Sequence, residues 1–261
     1  MPMQISISNA IGGGGGNLGS GGGSSFASTN SFTFDGNSDY VGCGDVLNLD
    51  ITDTFSFSQW VKFNSLGTDE MIISKWSSAS SFKGYVIYKN SSDKIVVFLR
   101  ESNIKFNLFV STNTLSSGVW YNITLTYDGS RLNSGINLYF DGVPQAGARS
   151  GNFYTGSMIT TLPFNIGARN NGELPLNGFI DEVSVFNSEL SGGFAGSDVT
   201  AIYNNGVPND LSSFNPISWW RMGEAATYAG GAWTLTDQGS GGNDGTSDTL
   251  PPEALSTDVP T

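Results

Sequence analysis

Histidine is absent from the 261 residues. That absence removes Ser-His-Asp triads, Cys-His dyads and the usual zinc sites. Cysteine occurs once, at Cys43, so no disulfide can form within the chain. A lone thiol of this kind reads as a small buried side chain. Cations are scarce: 11 Lys and Arg stand against 23 Asp and Glu, for a net charge of −12, and none occurs before Lys62 or after Arg221. With no basic arm to neutralise phosphates, neither nucleic acid nor an anionic membrane surface is an expected partner. No apolar run is long enough to span a membrane. The stretch "MPMQISISNA" has neither the basic nor the apolar part of a secretory signal.

What the chain does have is glycine and aromatics. Nine of the twelve residues from Gly12 to Gly23 are glycine. Such a run cannot order itself, because glycine loses the most backbone entropy and has no side chain to bury. Residues 1–30 therefore read as a Gly-rich N-terminal arm that anchors to partner chains. From Ser31 the character changes. Seventeen Phe, nine Tyr and six Trp can fill a sizeable core. Short apolar segments such as "TFSFSQWVKF", "GYVIYKN", "WYNITLTYDG" and "GINLYFDG" recur between Asp-Gly, Asn-Gly and Ser-rich turns. Their regular spacing predicts an all-β antiparallel sandwich of the jelly-roll kind.

Alternation assigns faces. Phe55, Phe57, Val61 and Phe63 fall on one side of their strand; Ser56, Ser58 and Lys62 fall on the other, toward water. "DKIVVFLR" is apolar on both sides and reads as a central strand. One helix is expected, over "VTAIYNN", with Asp198 as its cap, Gly206 at its C′ position and Pro208 beyond. Three parts follow: the arm 1–30, a sandwich over 31–206, and a C-terminal extension over 207–261 that adds a strand.

"FTFDGNSDYV", "FSFSQWVKF", "GVWYNITLTYDGS", "INLYFDGVP", "FNIGARNNG" and "GFIDEVSVFNSEL", in that order, resemble the laminin-G-like branch of the concanavalin A-like lectin/glucanase superfamily. The likeness runs from about Phe32 to Tyr203. It implies the jelly-roll sandwich, and it leaves function open, because one fold serves lectins, adhesion modules, glycosidases and virion proteins. Such domains often begin with an aromatic strand and an Asp-Gly-Asn turn. Here "SWWRMGE" and "LTDQGSGGNDGT" carry that pattern near the C-terminus, so Trp219–Gly245 is expected to fill the place of the first strand, in its own chain or a neighbour's. A truncated second repeat would look the same.

Three site expectations follow. Asp181 shares a side of "GFIDEVSV" with Phe179, Val183 and Val185, and an inward carboxylate needs a partner. The resemblance implies a structural Ca2+ held by Asp181, with Asp35 and Asn37; backbone N–H donors would meet the same need. A lectin site would draw on exposed aromatics, guanidinium groups and amides: Trp76, Tyr85, Tyr88, Arg100, Arg169, Asn170 and Asn171 are of the right types. Glycosidase chemistry needs two carboxylates across a bond. "DEVSVF" has adjacent ones, which in a regular strand point apart, so no enzyme activity is expected.

The segments "NNGVPNDLSSFNPISWWRMGE" and "TLTDQGSGGNDGT" are similar to laminin-G-like proteins of marine bacteriophages. That likeness implies a non-enzymatic virion structural protein, homo-oligomeric, held to other virion proteins by its arm and touching host glycans. The alternative is a lectin-type carbohydrate-binding adhesin; a glycoside hydrolase is third.

Overall fold

The computed structural model describes residues 26–76, 82–151, 154–169 and 172–261. The arm up to residue 25 lies outside them, as do Asn170 and Asn171. Eighteen strands follow in chain order: β1 (Ser31–Asp35), β2 (Val41–Gly42), β3 (Phe55–Phe63), β4 (Glu70–Trp76), β5 (Gly84–Lys89), β6 (Ile95–Arg100), β7 (Phe106–Ser111), β8 (Trp120–Tyr127), β9 (Ile136–Phe140), β10 (Val143–Pro144), β11 (Gly147–Gly151), β12 (Asn165–Ile166), β13 (Asn177–Phe186), β14 (Ser218–Trp220), β15 (Ala226–Ala229), β16 (Ala232–Leu235), β17 (Gly245–Ser247) and β18 (Leu255–Ser256). The helix α1 spans Asp198–Tyr203.

All pairings are antiparallel, and they make two sheets. The first runs β10-β9-β8-β3-β13-β1-β18, with β14 also on β13. The second runs β11-β7-β6-β5-β4-β12-β2-β17-β16-β15. Between them lies one apolar core, built from Phe55, Phe57, Val61 and Phe63 of β3 against Ile73, Tyr85, Ile87, Val97 and Phe109 of the second sheet. Cys43 belongs to this core, and burial pushes its thiol pKa up. Residues 207–261 supply β14 to β18, which pair with strands of their own chain in both sheets.

Two expectations change. The outward side of β3 is not wet. Ser56, Ser58 and Lys62 are buried, as are Asn122, Thr124 and Thr126 of β8. A second apolar cluster of Tyr139, Phe186, Leu190, Val199, Ile202, Leu211 and Trp219 accompanies them. Asn122 and Thr124 survive burial by bonding Ser58: Asn122 Nδ2 and Thr124 Oγ1 both donate to its Oγ, at 3.2 and 3.1 Å, whereas Thr126 Oγ1 has no partner among the described residues. Helix α1 is also shorter than the sequence suggests. Ser197, not Asp198, is the cap, and accepts from the Thr200 N–H. The helix ends at Asn204 in the left-handed region (φ 47°), ahead of Gly206, because asparagine tolerates that conformation.

Candidate functional site

The strands β4 to β7 set one outer face by register alone. Trp76 pairs with Gly84, Gly84 with Arg100, and Arg100 with Phe106. The next row is Ser74, Val86, Phe98 and Leu108, and beyond it Tyr88 pairs with Val96. Period-two alternation puts these rows opposite the core residues Ile73, Ile87, Val97 and Phe109. Gly84 is required between its neighbours: its φ is +120°, and a Cβ there would meet the Lys75 carbonyl oxygen at 1.8 Å. With no side chain on Gly84, Trp76 and Arg100 meet across it, the guanidinium carbon 5.3 Å from the ring centre.

Arg100 is surrounded by rings. Its guanidinium carbon stands 4.8 Å from Phe98, 5.3 Å from Phe82 and 5.5 Å from Phe106, distances at which a cation is drawn to a π face. Burial lowers its pKa. Arg169 enters from beyond β12 and lies 4.7 Å over the other part of the Trp76 platform. Its guanidinium forks onto Glu173, at 3.0 and 2.8 Å. Trp76, Tyr88, Phe98 and Arg169 line a cleft of about 100 Å³ together with Asp69, Met71, Val86 and Leu174. Asp69 and Leu174 also line an adjoining polar pocket of about 580 Å³, walled by Ser65, Thr68, Glu70, Ser91 and Asn177. Burial, then the charge of Asp69, raises the Tyr88 pKa.

Of the sugar-site candidates, Trp76, Tyr88, Arg100 and Arg169 come together here. Tyr85 does not. It points into the core, 2% exposed, and donates its hydroxyl to the Leu47 carbonyl. Asn170 and Asn171 lie outside the described residues. Asp69, Val86 and Phe98 also line the cleft, with Ser74 buried between them and Asn165, and none was singled out by type. Four buried polar atoms on this face, Ser74 Oγ, Trp76 Nε1, Arg100 Nε and Asn165 Oδ1, have no hydrogen-bond partner. Asn165 is the cross-strand neighbour of Ser74.

The expected metal set does not assemble. Asp35 bonds the backbone and side chain of Asn37, at 2.8 and 2.9 Å, and shares a turn with Asp39. It pairs with Asn177, four residues from Asp181, roughly 13 Å along β13. Nor does Asp181 share a face with Val183 and Val185. The register slips between Asp181 and Ser184, and Glu182 takes φ 49°. This bulge turns Asp181 and Glu182 to the same outer side of the first sheet. The bulge sits where β1 ends and β14 begins along β13.

Both chain crossings contribute there. Ser28 Oγ donates to Asp181 Oδ2 at 2.6 Å, and Thr29 and Asn30 N–H donate to Glu224. Trp219 Nε1 donates to Glu182 at 2.6 Å, and Arg221 Nε to the same carboxylate at 3.2 Å. Acceptor oxygens of Asp181, Glu182 and Glu224 lie within 4.8 Å of one another. Burial raises the Asp181 pKa, with the Glu182 charge adding to it. Burial pushes Glu182 up to about 7 despite Arg221. Most of these oxygens already accept from N–H or O–H groups, which leaves far fewer than the six or more that calcium takes. Glu182 and Glu224 escaped the sequence reading because only the bulge and the β1/β14 junction bring them to Asp181.

Two antiparallel sheets packed face to face, with one short helix, form a jelly-roll sandwich. The family model described as the concanavalin A-like lectin/glucanases superfamily matches residues 35–193, and the chain belongs to that family. Among solved structures, a Bacteroides ovatus ATCC 8483 protein whose proposed role is carbohydrate binding superposes with a TM-score of 0.62 at 18% identity; the match covers 90% of this chain and 62% of that one. A heptameric SAP-like pentraxin from Limulus polyphemus superposes at 0.49, with 12% identity over 67% of this chain and 82% of its own. The binding domain of botulinum neurotoxin serotype D gives 0.49 and 17%, over 80% and 54%. No curated protein matches the chain. No described helix is long and apolar enough to cross a membrane.

Proposed function

We propose that this protein binds carbohydrate without transforming it, and that the face of Trp76, Tyr88, Arg100 and Arg169 takes the sugar. The convergence of these four residues from β4, β5, β6 and the segment after β12 carries the reading. A flat indole stacks on the C–H face of a sugar ring, while nearby polar groups fix its hydroxyls. The polar pocket beside the cleft would hold a neighbouring residue of the same glycan. Binding alone is supported by the fate of the adjacent carboxylates: Asp181 and Glu182 are 0% and 3% exposed and are held by Ser28, Trp219 and Arg221.

The test is a glycan array probed with the protein and with Trp76→Ala. The parent is expected to bind a defined set of glycans, and the variant to lose that binding while keeping its fold by circular dichroism. An array on which both proteins bind equally, or neither binds, rejects this face. The virion setting is a second reading. Residues 27–30, the last of the expected 1–30 arm, are held by Asp181, Glu224 and Arg221, which would give such an arm a fixed end. Mass spectrometry of purified particles tests it, and absence from them sinks it.

A further inference from the structure

We propose, resting on the carbohydrate reading, that the ligand is an acidic sugar whose carboxylate is gripped by the Arg100 guanidinium. The chain has 23 carboxylates for 11 cations. Lys62, Lys75, Lys89, Lys105, Arg169 and Arg221 each contact at least one. Arg100 forms no such pair among the described residues, nor do Lys94, Arg131 and Arg149, but Arg100 alone of these also has a buried N–H without a partner there. Among the described residues its Nη2 reaches the Asn103 carbonyl, at 3.4 Å, and its Nε has no partner. The guanidinium is half-buried among four rings, and the unmade hydrogen bond of its buried Nε is costly. Where a local rule is broken without a structural gain, function is the usual reason.

The second orphan fixes the chemistry. Trp76 Nε1 belongs to the ring 5.3 Å from the guanidinium carbon. Both groups are donors only, so they call for an acceptor-only ligand group. A carboxylate is planar and matches the Arg fork through two parallel bonds. The charges around the cleft set its direction. Asp69 lines the cleft and Glu173 already holds Arg169, so an anion is repelled there and drawn to Arg100, which stands beside Trp76. The sugar hydroxyls then face Asp69 and Tyr88.

Isothermal titration with uronic-acid oligosaccharides, and with the same oligosaccharides after carboxyl reduction, tests the inference. An acidic-to-reduced affinity ratio of about tenfold or more is expected. Arg100→Gln and Arg100→Lys should both collapse that ratio, the lysine because it lacks the fork; Trp76→Phe should lower it while keeping a ring. Thermal melts check that each variant is folded. Equal affinity for both oligosaccharides overturns the acidic ligand and leaves the carbohydrate reading standing, as does a preference for sulfate esters over carboxylates on the array. No binding to any glycan overturns both.

Discussion

The two sheets satisfy their buried polar groups to different degrees, although Gln59 Oε1, Thr126 Oγ1 and Glu224 Oε2 on the first also lack a partner among the described residues. On the first, Ser58, Asn122 and Thr124 bond one another, and Asp181, Glu182 and Glu224 accept from Ser28, Thr29, Asn30, Trp219 and Arg221. On the second, Ser74, Trp76, Arg100 and Asn165 each keep a buried atom with no partner, four of the seven such atoms among the described residues. Satisfied polar groups under an apolar cover hold a fold together. Orphaned ones beside aromatic rings weaken it, and are kept where a ligand completes them. The difference is the one expected if the second face is the proposed recognition face and the first is structural.

Two tryptophans give the largest break in this comparison. Trp219 is 5% exposed, stacks on Phe26 at 5.9 Å and bonds Glu182. Trp219→Ala should cost about 3–5 kcal/mol, as large buried rings do. Trp76→Ala removes a half-buried ring whose N–H has no partner, and should cost about 1 kcal/mol while abolishing sugar binding. Urea unfolding of both variants checks this. Comparable losses would dissolve the distinction between the faces.

Acidity gives the next effect. Glu182 titrates near 7 in the folded protein and Asp181 is raised as well, both by burial. A carboxylate whose folded pKa lies above its unfolded value binds protons more tightly when folded. Its stabilisation is complete below about pH 4.5 and disappears as pH rises through 7. Arg221 and the Ser28, Thr29, Asn30 and Trp219 donors favour the charged forms and temper the shift. Stability should therefore fall by on the order of 2 kcal/mol between pH 5 and pH 8. Glu182→Gln should flatten that slope in melts followed across pH. A parent that is more stable at pH 8 than at pH 5 would contradict the assignment.

The two faces also differ in how legible they were. The strands and the inward Phe55, Phe57, Val61 and Phe63 follow from alternation, which survives wherever one side is apolar. "GYVIYK" has apolar residues on both sides, so type alone could not tell core Tyr85 from outward Tyr88. The register to Leu99 and Val96 decides it. The Asp181–Glu182 bulge erases alternation at the one point where the acidic cluster forms. It exists because β1 and β14, nearly 190 residues apart, abut along β13. Residue types flagged Trp76, Arg100 and Arg169, but only strand order and Gly84 bring the first two into contact.

The smallest effect is the sharpest test of the contrast, because it compares one hydroxyl with another. Ser28 Oγ bonds Asp181, so Ser28→Ala leaves a buried carboxylate short of a donor and should destabilise by about 1 kcal/mol. Ser74 Oγ is fully buried with no partner. Removing a hydroxyl that was desolvated without compensation takes away a penalty rather than a bond. Ser74→Ala should therefore leave stability unchanged or raise it by about 0.5 kcal/mol, and should weaken sugar binding if that hydroxyl meets the ligand. Denaturation of the two alanine variants side by side reads the sign directly. If Ser74→Ala destabilises as much as Ser28→Ala, its hydroxyl is already satisfied in the free protein, and the second face is structural like the first.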